Sequence, residues 1–177
     1  MKKYELTAEF IEKWGKKLFR IKALISFGNV EAGELGGYVE KEDNLAQDDN
    51  AWVHGNARVF GNARVCDDAE VCGNARVCDD ARVCGNARVY GDADYLLIGR
   101  IGSRFSFTTF FKNKDKGITV SCGCFLGTIA EFRAKVSDTH GNNKHAKIYN
   151  LAADMAELQI LGEEHFENLN TNKSEPF

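Results

Sequence analysis

Apolar residues in the middle of the chain recur every six positions between Asn50 and Asp94. Within each six, an alanine and a valine lie two residues apart, and a pair drawn from Gly, Asn and Asp follows one residue after the valine. Residues two apart on an extended segment point to the same side, so each six predicts a short strand with one apolar face. Gly, Asn and Asp tolerate positive φ, so each six also predicts a corner. The repeated residues are Ala51, Ala57, Ala63, Ala69, Ala75, Ala81, Ala87 and Ala93, with Val53, Val59, Val65, Val71, Val77, Val83 and Val89.

This period predicts a coil of stacked strands. It excludes an α-helix, whose apolar period is about 3.6 residues. It also argues against a hairpin meander, because six residues leave too little strand between turns. Three sides would close a turn of about 18 residues, with successive turns ~4.8 Å apart. Residues separated by one such turn, for example Val53, Val71 and Val89, should then lie over one another.

The repeats resemble those of the hexapeptide-repeat, left-handed β-helix proteins, whose pattern is an aliphatic residue, any three, a small residue and any one. The stretch from Val53 to Arg58 fits that pattern, as do the sixes that follow. The position after the aliphatic residue departs from the family's usual Gly, Ala, Glu or Asp, since it holds His, Phe, Cys or Tyr here. The resemblance implies a mainly β fold with a short left-handed parallel β-helix over residues 35–94.

Residues 1–34 are predicted to form a capping hairpin and a lead-in to the coil. Residues 4–26 allow two interpretations, an amphipathic helix or a hairpin that turns at Lys13–Lys17. We favour the hairpin, because Gly15 is a poor residue for a helix interior and the open end of a solenoid needs a cap. The coil is expected to begin near Leu35, which lies one predicted turn before Val53, with Leu45 in the alanine column.

Residues 95–162 are predicted to form a C-terminal ββαα unit, which makes the whole chain α+β. The sequence Thr128–Glu131 is a capping box at the start of a helix, and Gly141 is expected to end that helix. A second helix is expected from Asn143 to about Leu161. The polar residues 163–177 are predicted to be a disordered tail.

Segments on both sides of the coil also resemble hexapeptide-repeat proteins of bacteriophages and prophages, over nearly the full chain. This second resemblance implies a phage-related protein in the cytoplasm of a bacterial host. It is carried by Leu18–Leu24, Leu35–Tyr38, Ile101–Arg104, Cys122–Phe125 and His140–Ala146.

Charge and composition narrow the possible partners. The 177 residues carry a net charge of −3, so no general affinity for nucleic acid or an anionic membrane is expected. No apolar run approaches the ~20 residues of a membrane span, and the N-terminus lacks the apolar core of a signal peptide. Six cysteines without a secretion signal favour a reducing cytoplasm.

Arginines on the outside of the coil form the first candidate site. Arg64, Arg82 and Arg100 follow one another at intervals of one predicted turn, so the period predicts a vertical row of guanidiniums. One interpretation is a strip that docks phosphates or an acidic protein surface, since unneutralised guanidiniums repel one another. The other is a set of solvated arginines paired with neighbouring acids.

A glycine-containing loop after the coil is the second candidate. Residues 98–104 include Ser103 and Arg104, which would offer a hydroxyl, a guanidinium and backbone N–H groups to an anion. We expect Lys144 and His145 as possible neighbours of such a site. The alternative is a plain turn.

Metal and catalytic motifs are weak in this sequence. Cys66, Cys72, Cys78 and Cys84 are spread over three corners of the coil, and only Cys66 and Cys84 share a column. Three separate corners cannot bring four ligands to one ion, so the cysteines are interpreted as semi-apolar contacts, and no metal and no cofactor are expected. His54 is the one histidine of the coil segment. The resemblance raises the alternative of an acyltransferase that uses acetyl-coenzyme A, with His54 as the base.

The functional expectation is therefore a binding protein. It would form a homo-oligomer and engage a host protein or a small anionic, nucleotide-like ligand. A counter-defence inhibitor, such as an anti-CRISPR protein, and a ligand sponge are the uses that the phage resemblance suggests. The alternatives are the acyltransferase and a structural subunit of an oligomer.

Overall fold

A computed structural model describes residues 1–163 of the chain and divides it into two compact units, Met1–Asp92 and Ala93–Phe177. We call them the coil unit and the sheet–helix unit. Apart from Glu163, the predicted disordered tail of residues 163–177 lies outside the described residues. The fold is mainly β, with stacks of parallel strands in the coil unit and two helices in the sheet–helix unit.

The coil unit opens with a β-hairpin of β1 (Tyr4–Lys13) and β2 (Lys16–Ala23). Trp14 and Gly15 make the turn, and both have positive φ, at 52° and 73°. Two consecutive residues with positive φ are typical of the two-residue turns that match the twist of a hairpin. The structure therefore has the hairpin, and the helical interpretation of this segment is wrong.

The six-residue period produces parallel strands of two residues each. A lead-in strand, β3 (Leu35–Val39), comes before the repeats. It pairs antiparallel with β2, so it connects the hairpin to the coil. The seven repeat strands are β4 (Trp52–Val53), β5 (Arg58–Val59), β6 (Arg64–Val65), β7 (Glu70–Val71), β8 (Arg76–Val77), β9 (Arg82–Val83) and β10 (Arg88–Val89). One sheet has the order β1-β2-β3-β5-β8, another β10-β7-β4, and a third pairs β6 with β9.

The core of the coil is a set of valine and alanine columns. Val53, Val71 and Val89 pair in register across three successive rungs, as the period predicts, and all three are fully buried. Corner residues have positive φ, which glycine and aspartate tolerate. These corner residues include Gly55, Gly61, Asp67, Gly73, Asp79 and Gly85.

The first rung is slightly longer than the period predicts. Val39 pairs with Val59 and Leu45 with Val65, so each pair is separated by one predicted turn and two further positions. Leu45 therefore belongs to a valine column and not to the alanine column, and Leu35 is 48% exposed outside the columns. A 3-10 turn at Glu42–Asn44 lies in this longer rung. The buried Asn44 amide donates to the Ala63 carbonyl at 2.8 Å and so ties the turn to the next rung.

Cys66 and Cys84 form a disulfide bond between neighbouring rungs. Their Cα atoms are 4.7 Å apart, because residues separated by one turn stack, and this distance lies within the range that a disulfide spans. The expectation that these two cysteines are semi-apolar thiol contacts is therefore wrong.

The sheet–helix unit contains a four-stranded antiparallel sheet where the ββαα layout expected two strands. Its strands are β11 (Tyr95–Ile101), β12 (Ser106–Lys112), β13 (Ile118–Cys122) and β14 (Phe125–Thr128), in that order. Two helices follow, α1 (Ile129–His140) and α2 (Lys144–Leu161). The capping box of Thr128 and Glu131 starts α1, and Gly141 with φ 55° ends it, as predicted.

The helices pack on the sheet around an apolar core. Phe110 and Val120 of the sheet meet Phe132 of α1 and Tyr149 and Ala153 of α2. Within residues 1–163, no helix has the length and apolar character needed to cross a membrane.

Candidate functional site

The sheet–helix unit contains a cavity of about 390 Å³, a size that suits a small organic ligand. Its wall is formed by the turn between β11 and β12, the turn between β13 and β14, one face of α1 and one side chain of α2. The wall combines cationic, hydroxyl and aromatic groups, and none of the described residues that line it is acidic. The lining residues are Ser103, Arg104, Ser106, Cys122, Gly123, Cys124, Phe125, Phe132, Lys135, Val136, Thr139, His140 and Tyr149.

One face of α1 forms a side of the cavity. Phe132, Lys135, Val136, Thr139 and His140 recur at intervals of three and four residues, so they share that face. Phe132 and Val136 are buried towards the sheet, whereas Lys135 and Thr139 are exposed. The face therefore changes from apolar at depth to polar at the mouth of the cavity.

Aromatic rings form the deep part of the cavity. Phe132 packs edge-on against Tyr149 with ring centroids 5.6 Å apart, and His140 stacks on Tyr149 with ring centroids 5.8 Å apart. Burial raises the pKa of the Tyr149 hydroxyl to about 12, the neighbouring Cys122 adds to the rise, and the guanidinium of Arg104 partly offsets it. Tyr149 is therefore a neutral hydroxyl at physiological pH.

Gly102 positions the loop that carries Ser103 and Arg104. Its φ is 73°, and a Cβ added at this position would lie 1.8 Å from the Tyr149 hydroxyl oxygen. A side chain there would force either the loop or the tyrosine ring to move. The loop can therefore approach the ring only because residue 102 is glycine.

Two of the predicted site residues line the cavity. Ser103 and Arg104 occupy the turn between β11 and β12, where the sequence placed an anion site. Lys144 and His145 begin α2 and are not among the described residues of the wall. His145 nevertheless lies close, since its ring is 5.8 Å from that of His140.

Of the three arginines in the predicted row, Arg64 and Arg82 lie on rungs of the coil and Arg100 does not. Arg64 and Arg82 pair in register on β6 and β9, but Arg100 lies in β11, which pairs antiparallel with β12. The reason is that the six-residue period ends before Tyr95, so one further turn from Arg82 passes beyond the coil. Acids engage other arginines on the coil surface, as Asp92 does Arg76 and Glu70 does Arg88.

The coil surface carries two clusters with metal-binding atoms. His54, Glu70 and Cys72 form one, and Cys66, Asp67 and Cys84 form the other. The disulfide occupies both thiols of the second cluster. Burial and the nearby Glu70 carboxylate raise the pKa of the Cys72 thiol to about 11, while Arg88 acts in the opposite direction.

Sequence reasoning missed Lys135, His140 and Tyr149, which complete the cavity. All three are distant from Arg104 along the chain, and only the packing of the helices on the sheet brings them together. A usable signal was present in the spacing of Lys135, Thr139 and His140, which places three polar side chains on the side of α1 that also carries Phe132.

Comparison with known proteins supports the fold of the coil. A family model described as the YdcK beta solenoid repeat matches residues 81–93, at the end of the coil segment. This match supports a β-solenoid type of repeat. The search of curated proteins found no significant match to the chain.

Proposed function

We propose that the sheet–helix unit binds a small anionic ligand with a planar ring, of the nucleoside monophosphate class, and does not catalyse a reaction on it. The observation that carries this proposal is the cavity itself, which joins Arg104 and Lys135 to an aromatic interior. It refines the expectation of an anionic, nucleotide-like ligand to one place in the molecule.

Charge and hydroxyl groups at the mouth supply contacts for a phosphate. Arg104 offers a planar fork of N–H donors and Lys135 an ammonium, and both suit phosphate oxygens. Ser103, Ser106 and Thr139 add hydroxyls to the same wall. An anion held there would meet no carboxylate among the described lining residues, so it would be attracted from every charged side of the wall.

Aromatic groups supply contacts for a ring. Phe125 and Phe132 lie in the wall with centroids 5.6 Å apart, next to Tyr149. Phe105, between the lining residues Arg104 and Ser106, exposes 72% of its surface. A base stacking on such rings is worth about 1–3 kcal/mol, whatever its identity. This favours recognition of a nucleotide by its ring plane and its charge.

The test is calorimetric titration with AMP, GMP, CMP and UMP, with inorganic phosphate and adenosine as partial probes. Arg104→Gln and Lys135→Gln should each weaken nucleotide binding about ten- to hundredfold, the value of a charge-assisted hydrogen bond. Adenosine should be less sensitive to both changes. Lys144→Gln is the matched control, because Lys144 is a cation of the same unit outside the cavity wall.

Two results would contradict the proposal. One is the absence of heat with every nucleotide at about 1 mM, a concentration that would reveal binding worth only ~4 kcal/mol. The other is an equal loss of affinity in Lys144→Gln and Arg104→Gln. Acetyl-coenzyme A titrated in the same way, followed by His54→Ala, separates the acyltransferase alternative from the binding protein.

We further propose that the chain self-associates through α2. Ile148, Leu151, Met155 and Leu158 recur at intervals of three and four residues and are exposed on one face. In an antiparallel pair of such faces, Lys144 of one copy would lie near Glu163 of the other, and these opposite charges would attract each other. Leu151→Lys should convert an oligomer to a monomer in light scattering, whereas Lys147→Ala should not.

We propose a left-handed sense for the coil, on the resemblance of its repeats to the hexapeptide family. We also propose that the protein is phage-related and acts in the host cytoplasm by sequestering a nucleotide signal. Purification from infected cells, followed by mass spectrometry of the small molecules released on denaturation, tests this use directly.

A further inference from the structure

Three side chains with metal-binding atoms meet on the outer side of the coil sheet β4–β7–β10. They are His54, which follows β4, Glu70 within β7, and Cys72, which follows β7. Each offers one ligand atom, and these atoms all lie within 4.8 Å of one another. All three residues are half-buried, so an ion placed between them would be partly shielded from water while keeping access to it.

The backbone of two adjacent rungs builds this cluster. The His54 N–H donates to the Val71 carbonyl at 2.8 Å, which places the imidazole beside residue 72. Glu70 and Cys72 are two residues apart on an extended segment, so both side chains point outwards on the same side. The three ligands therefore come from a rigid sheet and do not depend on a loop.

The donor set suits zinc. Imidazole nitrogen, thiolate sulfur and carboxylate oxygen are all ligands of Zn²⁺, at bond lengths of about 2.0–2.3 Å. Tetrahedral bonds of that length separate the ligand atoms by roughly 3.3–3.8 Å. Atoms within 4.8 Å of one another thus need to move inwards by about 1 Å, which small side-chain rotations achieve.

An outer contact orients the carboxylate. Arg88 Nη2 donates to Glu70 Oε1 at 2.9 Å, and a carboxylate can accept this bond and still offer an oxygen lone pair to an ion. Such partners around metal ligands fix their orientation and tune affinity. When the ion binds, the Cys72 thiol releases its proton and coordinates as a thiolate. The thiolate and the Glu70 carboxylate then carry two negative charges against the one positive charge of Arg88, which favours a divalent cation.

We propose that His54, Glu70 and Cys72 form a mononuclear Zn²⁺ site that ties two rungs of the coil and leaves one coordination position to water. This site is separate from the cavity of the sheet–helix unit and does not depend on the function proposed there. It differs from the expectation of no metal, which considered the four coil cysteines as a set and overlooked Glu70.

The test titrates the purified full chain, with its disulfide intact, with Zn²⁺ against a chromogenic chelator, and then with Co²⁺. One equivalent of Zn²⁺ should bind, and the Co²⁺ adduct should show a thiolate-to-metal charge-transfer band. Cys72→Ser and His54→Ala should each weaken Zn²⁺ binding by about 100-fold or more, and Glu70→Gln by about tenfold. Zinc should also raise the melting temperature of the wild type.

Cys78→Ser is the matched control, because Cys78 is a half-buried cysteine at the same repeat position on another column. It should keep both the affinity and the charge-transfer band. Failure of the wild type to bind zinc at micromolar concentration would overturn the site, as would unchanged affinity in Cys72→Ser. If that variant does not fold, the absence of a thiolate band from wild-type Co²⁺ protein is equally decisive against the site.

Discussion

Lys3 shows how one residue fastens the hairpin to the coil unit. Its side chain is 2% exposed, and its ammonium donates to the carbonyls of Asp48 and Ala51 at 3.0 Å. The charge also lies over the Phe27 ring, 4.8 Å from the centroid. Burial lowers the pKa of Lys3 to about 8, although Asp49 and Asp48 oppose the shift.

The lowered pKa of Lys3 predicts that the coil unit becomes more stable as the pH rises above neutrality. In the unfolded chain the amine stays protonated to higher pH, so folding releases a proton in this window. The free energy of unfolding should rise by ~0.8 kcal/mol between about pH 7 and about pH 8.5. Denaturant titration followed by tryptophan fluorescence measures it, since Trp14 and Trp52 both lie in the coil unit.

Lys3→Met is the control for this pH dependence and should remove the rise. The window ends near pH 9, because raised pKa values act in the opposite direction above it. Cys72, with a pKa of about 11, and Tyr4, with a pKa raised by burial, both make folding less favourable as the solution becomes strongly basic. A slope that persists in Lys3→Met would contradict the assignment.

Gly102 is the residue on which the shape of the cavity depends. Gly102→Ala should destabilise the sheet–helix unit by about 2–4 kcal/mol, since it adds positive-φ strain to a clash with Tyr149. Gly123→Ala is the matched control, because Gly123 also has positive φ but open space around its Cβ. It should cost only about 1 kcal/mol. Urea unfolding followed by far-UV circular dichroism measures both, and equal losses would contradict the role of the close approach.

At the scale of elements, the packing of the two helices on each other depends on one half-buried cation, Arg133. Arg133 of α1 donates to Asp154 and to Glu157 of α2, both at 2.7 Å. Glu157 is 7% exposed, so its charge relies on this partner. The contact holds in place the α1 face that forms a side of the cavity.

Arg133→Ala should therefore destabilise the sheet–helix unit by about 3 kcal/mol, because it leaves a buried carboxylate without its cation. Lys147→Ala, at an exposed lysine of α2, should change the free energy of unfolding by less than about 0.5 kcal/mol. Urea titration with circular dichroism detects the difference. The double change Arg133→Met with Glu157→Leu should recover much of the loss, and failure to do so would point to a packing role for Arg133 instead.

The sequence was most informative where structure depends on local spacing. The six-residue period predicted the columns through Val53, Val71 and Val89, and the Thr128 capping box predicted the start of α1. It failed in the lead-in rung and in the number of strands of the sheet–helix unit, because nothing local specifies a lengthened first rung or a strand as short as β14 just after a tight turn. The part of the cavity formed by α1 and α2 could not be predicted either, because only tertiary packing places Arg104 and Lys135 on the wall of the same cavity.

At the scale of the whole molecule, the chain combines a coil unit of repeats with a sheet–helix unit that has none. The first obtains its stability from neighbouring rungs, as solenoids do, and the second from an ordinary apolar core. The two proposed ligand sites follow this division. A zinc site uses the regular spacing of the coil, whereas an organic anion needs the enclosed cavity of the other unit.

The regular spacing predicts how the chain tolerates shortening. Deletion of residues 69–86 removes one full turn of the coil, so Asp68 is followed by Ala87 and every remaining valine keeps a partner in its column. This variant should still unfold cooperatively, at lower denaturant concentration, because one rung interface is lost. Deletion of residues 69–77 removes half a turn and breaks the period, and it should lose the cooperative transition. The reverse order of stability would contradict the stacked-rung description.

The in-register valine columns also give the gene an unusual freedom. Neighbouring turns of the coil present nearly the same surface to the turn above and the turn below. Duplication of the DNA that encodes one turn would therefore add a rung without changing the contacts of the rungs on either side. Most domains cannot grow this way, because an insertion into a single core disturbs every contact around it. In this protein, the length of the coil can evolve by gain or loss of whole turns.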